Sequence, residues 1–186
     1  FSFQAIKHMT TIDGGVLVIK NEHHITKAKK FRWFGLQKGV PRVEVDITEL
    51  GFKYNMNNVA ATIGLKQLES INTRIMAHKK NGQYFDLNIP KIQGLSVPVF
   101  DACADPSYWL YTVFSDDAQD IEHSLAAAGV TASKLYRPNH LHSIFKPYVE
   151  SLPNLNVYYE KMVHIPCGWG LNEADREHII STLAKG

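Results

Sequence analysis

The sequence predicts a mixed α/β chain, and three observations carry that reading. A glycine pair, Gly14-Gly15, opens onto the continuous aliphatic run Val16-Leu17-Val18-Ile19, the pattern of a buried strand. A long stretch from about Asn55 to Tyr84 places Val59, Ile63, Leu68, Ile71 and Ile75 near helical spacing. After Pro90 the character changes to short β-type segments alternating with helices, the plan of a two-layer α+β unit.

Taken in order, Gly14–Lys20 is expected to be a strand. Asn21 is expected to cap a helix over about 22–33. Residues 35–50, with Gly35, Gly39 and Pro41, read as a loop holding a short extended piece at Val43-Glu44-Val45. Asn55 or Asn57 starts the long helical stretch, and Asn88-Ile89-Pro90 ends it, because the residue before a proline is pushed out of helical geometry. Strands are expected at Leu95–Phe100 and Tyr108–Phe114, a helix over about 118–128 stopping at Gly129, and an extended segment around 131–136. Asn172-Glu173-Ala174-Asp175 reads as a cap followed by first-turn acids, opening a terminal helix through Ile180 and Leu183. Residues 90–186 are expected to be compact and residues 1–50 loosely packed.

Composition narrows the function. The 186 residues are 45% hydrophobic and 20% charged, enough apolar material for a core. A formal charge of +2 gives no ground for nucleic-acid or membrane-surface binding. The basic runs Lys27-Ala28-Lys29-Lys30 and His78-Lys79-Lys80 read as solvated helix faces. Cys103 and Cys167 are too few for a disulfide framework and suit a reducing compartment. No apolar run approaches the roughly 20 residues of a membrane span.

Four blocks carry chemistry. The first is Ser2-Phe3-Gln4-Ala5-Ile6-Lys7, followed by Ile12-Asp13-Gly14-Gly15. Lys7 lies among apolar and hydroxyl side chains with no adjacent carboxylate, a setting that can favour the neutral amine a carbonyl adduct requires. The second is Gly51-Phe52-Lys53-Tyr54-Asn55-Met56-Asn57-Asn58, leading into an Ala- and Ile-rich helix. The third is Tyr136-Arg137-Pro138-Asn139-His140-Leu141-His142. The fourth runs from Val163 through Pro166-Cys167-Gly168-Trp169 to the acid-capped final helix. His140 and His142 have no third ligand at a convincing spacing, so no metal site is assigned. Cys167 has no evident base and reads as structural, and Trp169 as a packing residue.

In this order the four blocks resemble the DegT/DnrJ family of sugar aminotransferases, fold-type-I enzymes that use pyridoxal 5'-phosphate. The resemblance covers nearly the whole chain but only the C-terminal half of the family. It implies the end of a large cofactor domain over 1–54 with a remnant of its sheet, linking helices over 55–89, and a small α+β domain over 90–186. The chain starts at Phe1 inside the lysine motif, which reads as a cut just upstream of it. The family pattern has Gly-Glu-Gly-Gly where this chain has Ile12-Asp13-Gly14-Gly15.

By the same resemblance, Lys7 bonds the cofactor aldehyde and moves the substrate proton, and Ser2 contacts the cofactor phosphate. Lys53 or Asn55 reaches the phosphate in the partner's site of a homodimer, and Tyr136, Arg137, His140 and His142 lie near the substrate. The implied reaction moves an amino group, from glutamate, to a nucleotide-linked keto-deoxysugar in the cytoplasm. The alternatives are a catalytically inactive fragment or a family dehydratase. Dehydratases of this type carry histidine at the lysine position, so Lys7 favours transamination.

Overall fold

The structure, a computed structural model, describes residues 1–148 and 150–185. They form two compact units, Phe1–Ile71 and Asn72–Gly186.

The first unit is built on turns. Its opening segment closes on itself. Val16 N–H donates to Phe1 O and Phe3 N–H to Gly14 O, both at 2.9 Å, and Ser2 pairs with Gly15 in an isolated antiparallel bridge. The strand expected at 14–20 does not form. Its only bridge is the one to Ser2, and Leu17 and Val18 are 78% and 64% exposed. An aliphatic run becomes a buried strand only where neighbours satisfy its edges and cover its faces, and none of the described residues does so here.

Asn21 caps the next element as expected, its Oδ1 accepting from His23 N–H at 3.0 Å. A 3₁₀ turn, Glu22–His24, leads into α1, Ile25–Phe31. Val43 and Glu44 lie in a turn rather than in the extended piece expected there. Asn57 caps α2, Asn58–Leu68, accepting from Ala60 N–H at 2.8 Å.

The second unit holds the core. Helix α3, Ile71–Asn88, ends in a 3₁₀ turn at Ile89–Lys91, where Pro90 cannot continue the α ladder. A three-stranded antiparallel sheet follows, ordered β1 (Leu95–Ser96), β2 (Tyr111–Ser115), β3 (Met162–Ile165). Tyr111 stands opposite Ile165 and Val113 opposite Val163. On β2, Tyr111, Val113 and Ser115 are buried while Thr112 and Phe114 are only partly so, the alternation of a strand with one face on the core. Helices α4 (Ala118–Ala127) and α6 (Glu173–Leu183) supply Ile121, Leu125, Ile179 and Leu183 to that core, and α3 and its 3₁₀ end supply Phe85 and Ile89. Every fully buried large apolar side chain among the described residues lies in this unit.

Gly129, at φ +77°, stops α4 as expected; only glycine takes that conformation without cost. At α6 the cap is reciprocal: Asn172 Oδ1 accepts from Asp175 N–H, and Asp175 accepts from Asn172 N–H. This is the capping box that a cap residue three positions before an acid permits.

The segment expected to be extended around 131–136 contributes only one bridge, Ser133 to His164. Of Leu95–Phe100, only Leu95 and Ser96 pair. Helix α5, Pro153–Lys161, was not foreseen. Proline begins it, but no regular apolar stripe announces it. The run His78-Lys79-Lys80 is not wholly a solvated face, since His78 is 5% exposed and its Nδ1 lies 3.0 Å from Tyr108 O. No helix among the described residues is long and apolar enough to cross a membrane.

Candidate active site

The Lys7 loop is held by its own backbone. Lys7 N–H donates to Gln4 O at 3.0 Å, and Thr11 N–H to Phe3 O at 2.9 Å. Ser2 Oγ accepts from Gln4 N–H at 3.3 Å, so Ser2 and Lys7 bracket one turn. That contact uses a lone pair of the Ser2 hydroxyl and not its proton. Lys7 is half-buried and Ser2 exposed.

Two glycines make the base of this loop possible. A Cβ on Gly14, which sits at φ +150°, would lie 2.5 Å from Thr11 Oγ1, and one on Gly15 would lie 2.7 Å from Phe1 O. The Ile12-Asp13-Gly14-Gly15 departure from the family pattern therefore keeps glycine at the positive φ of Gly14 and at the close backbone approach of Gly15 to Phe1. Thr11, 2% exposed, fills the space beside Gly14 and donates to Asp13 O at 2.9 Å.

The second block zips against the end of α1. Phe52 N–H donates to Phe31 O at 2.7 Å, Tyr54 N–H to Arg32 O at 3.0 Å, and Phe34 N–H to Phe52 O at 3.1 Å. This pairing puts Lys53 opposite Trp33, with its Nζ 4.7 Å from the indole centroid. Lys53 Nζ also donates to Asn55 O, and Asn55 Nδ2 to Met56 O, each at 3.0 Å.

A cavity of about 1010 Å³ opens beside the block. Lys53, Asn55, Asn57, Lys29 and Arg32 line it with donors, and Gly14 and Gly15 border it. Ser2 and Lys7 do not line it. Of the expected cofactor residues, Lys53 and Asn55 thus line the cavity, while Ser2 and Lys7 lie on the loop whose base, Phe1 and Gly14-Gly15, borders it.

Lys29 and Arg32 are additions to the expected set: Lys29 belongs to a basic run assigned to solvent, and Arg32 was expected only as part of the helix over about 22–33. The signal was present. Lys29 on α1 and Arg32 at its C-cap stand three apart, a spacing that puts both on one side of the helix end.

The third block borders a cavity of about 600 Å³ in the second unit. Tyr136, Arg137 and His140 line it together with Phe145, Tyr148 and Tyr158; His142 does not and is exposed. His140 Nδ1 is buried without a hydrogen-bond partner. The arrangement offers aromatic faces, a guanidinium and an imidazole, a set suited to a polar, partly planar ligand.

In the fourth block, Cys167 is 2% exposed, and burial pushes its thiol up to about 12. It is structural, as expected. Trp169 is 59% exposed and packs only in part, with the Arg74 guanidinium 5.5 Å from its ring.

Comparison with known proteins decides the family. Residues 1–184 match the DegT/DnrJ/EryC1/StrS aminotransferase family. The chain belongs to this family. It is 28% identical, over 98% of its length, to a UDP-4-amino-4,6-dideoxy-N-acetyl-beta-L-altrosamine transaminase of Campylobacter jejuni, of which it covers 50%. Among solved structures, it superposes on AtS13 of Actinomadura melliaura with a TM-score of 0.96 and 34% identity, covering 100% of this chain and 50% of that one. CalS13, a sugar aminotransferase of Micromonospora echinospora, gives 0.96 at 29% identity, with 100% and 51% covered. The fold is the expected α/β fold of the C-terminal part of a fold-type-I aminotransferase, and the chain spans about half the length of the curated relatives it matches.

Proposed function

We propose that this chain is the lysine-bearing portion of an enzyme that transfers an amino group to a keto sugar carried on a nucleotide, with pyridoxal 5'-phosphate as cofactor and glutamate as donor. The observation that carries the proposal is the Lys7 loop, in which Gln4 joins the two residues: its N–H donates to Ser2 Oγ and its carbonyl accepts from the N–H of the half-buried Lys7.

The residues present fit that cofactor. It needs an amine to bond its aldehyde and hydrogen-bond donors for its phosphate. Lys7 supplies the first. Ser2, and the donor-lined cavity at Lys53 and Asn55, supply the second. When bound, the cofactor withdraws electrons from the substrate carbon. Lys7 Nζ would take and return the proton at that carbon.

Lys53 and Asn55 line a cavity to which Lys7 does not contribute. The family resemblance of the 51–58 loop supports placing it in the site of a second copy, with a homodimer as the working form. Tyr136, Arg137 and His140 then serve the substrate, and His142, outside the cavity, is the weaker candidate. The two-cysteine composition suits a cytoplasmic setting.

The test uses a protein of the relatives' full length that carries this chain. With cofactor, glutamate and a nucleotide-linked keto sugar, it is expected to form 2-oxoglutarate and amino sugar. Lys7→Ala should lose both products while still binding the phosphate of the cofactor. Amino-sugar formation by the Lys7→Ala protein would overturn the assignment.

A further inference from the structure

Lys53 lines the cavity proposed for the cofactor phosphate, yet its side chain is exposed. An exposed lysine ordinarily spreads over many rotamers, and ordering it costs affinity. Trp33 stands where it can remove that cost. Phe34 N–H donates to Phe52 O and Tyr54 N–H to Arg32 O, so the bonds flank the Trp33–Lys53 pair and do not join it. An antiparallel pair of this kind brings its two side chains closest, on one face. We propose that Trp33 is a positioning residue for the cofactor phosphate, acting through Lys53.

The indole is itself fixed. Trp33 N–H donates to Lys30 O at 3.0 Å, its carbonyl accepts from Leu36 N–H at 2.9 Å, and the residue is half-buried. Two contacts then hold the Lys53 ammonium. Its Nζ lies 4.7 Å from the indole centroid and donates to Asn55 O at 3.0 Å. The ring attracts the whole positive charge, while Asn55 O takes one N–H. An ammonium has three donors, so others remain for phosphate oxygens.

Trp33 does not line the cavity, whereas Lys53 and Asn55 do. Any effect of the indole on a phosphate there passes through Lys53. Lys38 provides the control. Its Nζ lies 5.5 Å from the same centroid, but Lys38 does not line the cavity either. The inference rests on the reading of Lys53 as a phosphate ligand.

The test titrates the apo form of a full-length protein carrying this chain with pyridoxal 5'-phosphate, at constant ionic strength, following cofactor absorbance. Trp33→Leu should weaken binding about three- to tenfold, and Trp33→Phe, which keeps a ring face, should recover part of the loss. In a Lys53→Met background Trp33→Leu should cost less than about twofold, because the group it positions is gone. Lys38→Gln should bind as the parent does. An equal cost of Trp33→Leu with and without Lys53, no cost at all, or an equal loss in Lys38→Gln would each overturn the proposal while leaving Lys53 its role. Unchanged binding in Lys53→Met would overturn the phosphate reading of Lys53, and the role of Trp33 with it. A second readout needs no cofactor. In the 186-residue chain the ε-methylene protons of Lys53 should be shifted upfield by the indole ring current, and Trp33→Leu should abolish the shift. Unshifted protons in the parent chain would overturn the proposal whatever the folding of the variants.

Discussion

Gly82 and the ring of Tyr108 occupy one space: a Cβ on Gly82 would lie 2.2 Å from Tyr108 Cγ and Cδ1. Tyr108 cannot easily yield. Its backbone is left-handed at φ +48°, its hydroxyl donates to Asp86 Oδ2 at 2.5 Å, and its ring stacks on Tyr111 at 6.1 Å. Tyr111 donates to the other oxygen of the same carboxylate at 2.7 Å. Asp86 on α3 is thus tied to β2 and to the residue leading into it.

Gly82→Ala should therefore destabilise the second unit. Alanine in mid-helix gains about 1 kcal/mol in propensity over glycine, but overpacking against a fixed ring costs about 1–3 kcal/mol, and this contact is far inside van der Waals distance. A net loss of about 1–2 kcal/mol is expected in urea unfolding. Adding Tyr108→Ala should remove the clash, so the pair of substitutions should be less than additive. A stabilised Gly82→Ala protein would show that the ring moves freely.

The sequence showed those elements whose cause is local. Asn21, Asn57 and the Asn172–Asp175 pair cap helices where expected, because a cap depends on residues within one turn. Gly129 and Pro90 end helices for equally local reasons. The strand at 14–20 failed because a strand depends on partners elsewhere, and periodicity says nothing of whether they are present. His78 was misassigned for a similar reason: a charged run looks solvated until Tyr108 is seen to fold over it. At the candidate site, the lysine and asparagine blocks were legible as motifs. The spacing of Lys29 and Arg32 was legible too, but the cavity they line was not, because it forms where the 51–54 segment pairs with 31–34.

The two thiols should differ sharply in reactivity. Cys103 is exposed, while Cys167 is buried and its thiol raised to about 12, chiefly by desolvation. The thiolate is the reactive form, so Cys167 is shielded both by access and by charge. Native protein at pH 8 should titrate one thiol per chain with a disulfide reagent, and both in denaturant. Peptide mapping should place the native label at Cys103. Rapid native labelling of Cys167 would mean that the core around β3 opens readily.

His164 should make the second unit sensitive to mild acid. Burial lowers its affinity for a proton below the ordinary value of 6.5, and its Nδ1 lies 3.2 Å from Thr112 Oγ1 on the neighbouring strand. The unfolded chain then binds the proton more readily than the folded one. Stability is full above about pH 6.5 and falls as the pH drops through that value toward the lowered folded one. His164→Gln cannot titrate and should lose this part of the slope. The measurement is the difference in urea midpoint between parent and variant from pH 7.5 to 5. Parallel curves would show that His164 titrates alike in the two states.

The last prediction concerns Lys7 in the 186-residue chain alone. Affinity for pyridoxal phosphate comes largely from groups that hold its phosphate and its ring. In this chain Ser2 is the phosphate candidate nearest Lys7, and it is exposed and one residue from the terminal Phe1. The donors at Lys53 and Asn55 line a cavity to which Lys7 does not contribute. Lys7 should therefore react with added cofactor no faster than other half-buried or exposed lysines. Mixing chain and cofactor, trapping adducts with borohydride and mapping peptides by mass would measure this. A label spread over many lysines is expected. Stoichiometric labelling of Lys7 alone would show that a usable cofactor site is present in the 186-residue chain.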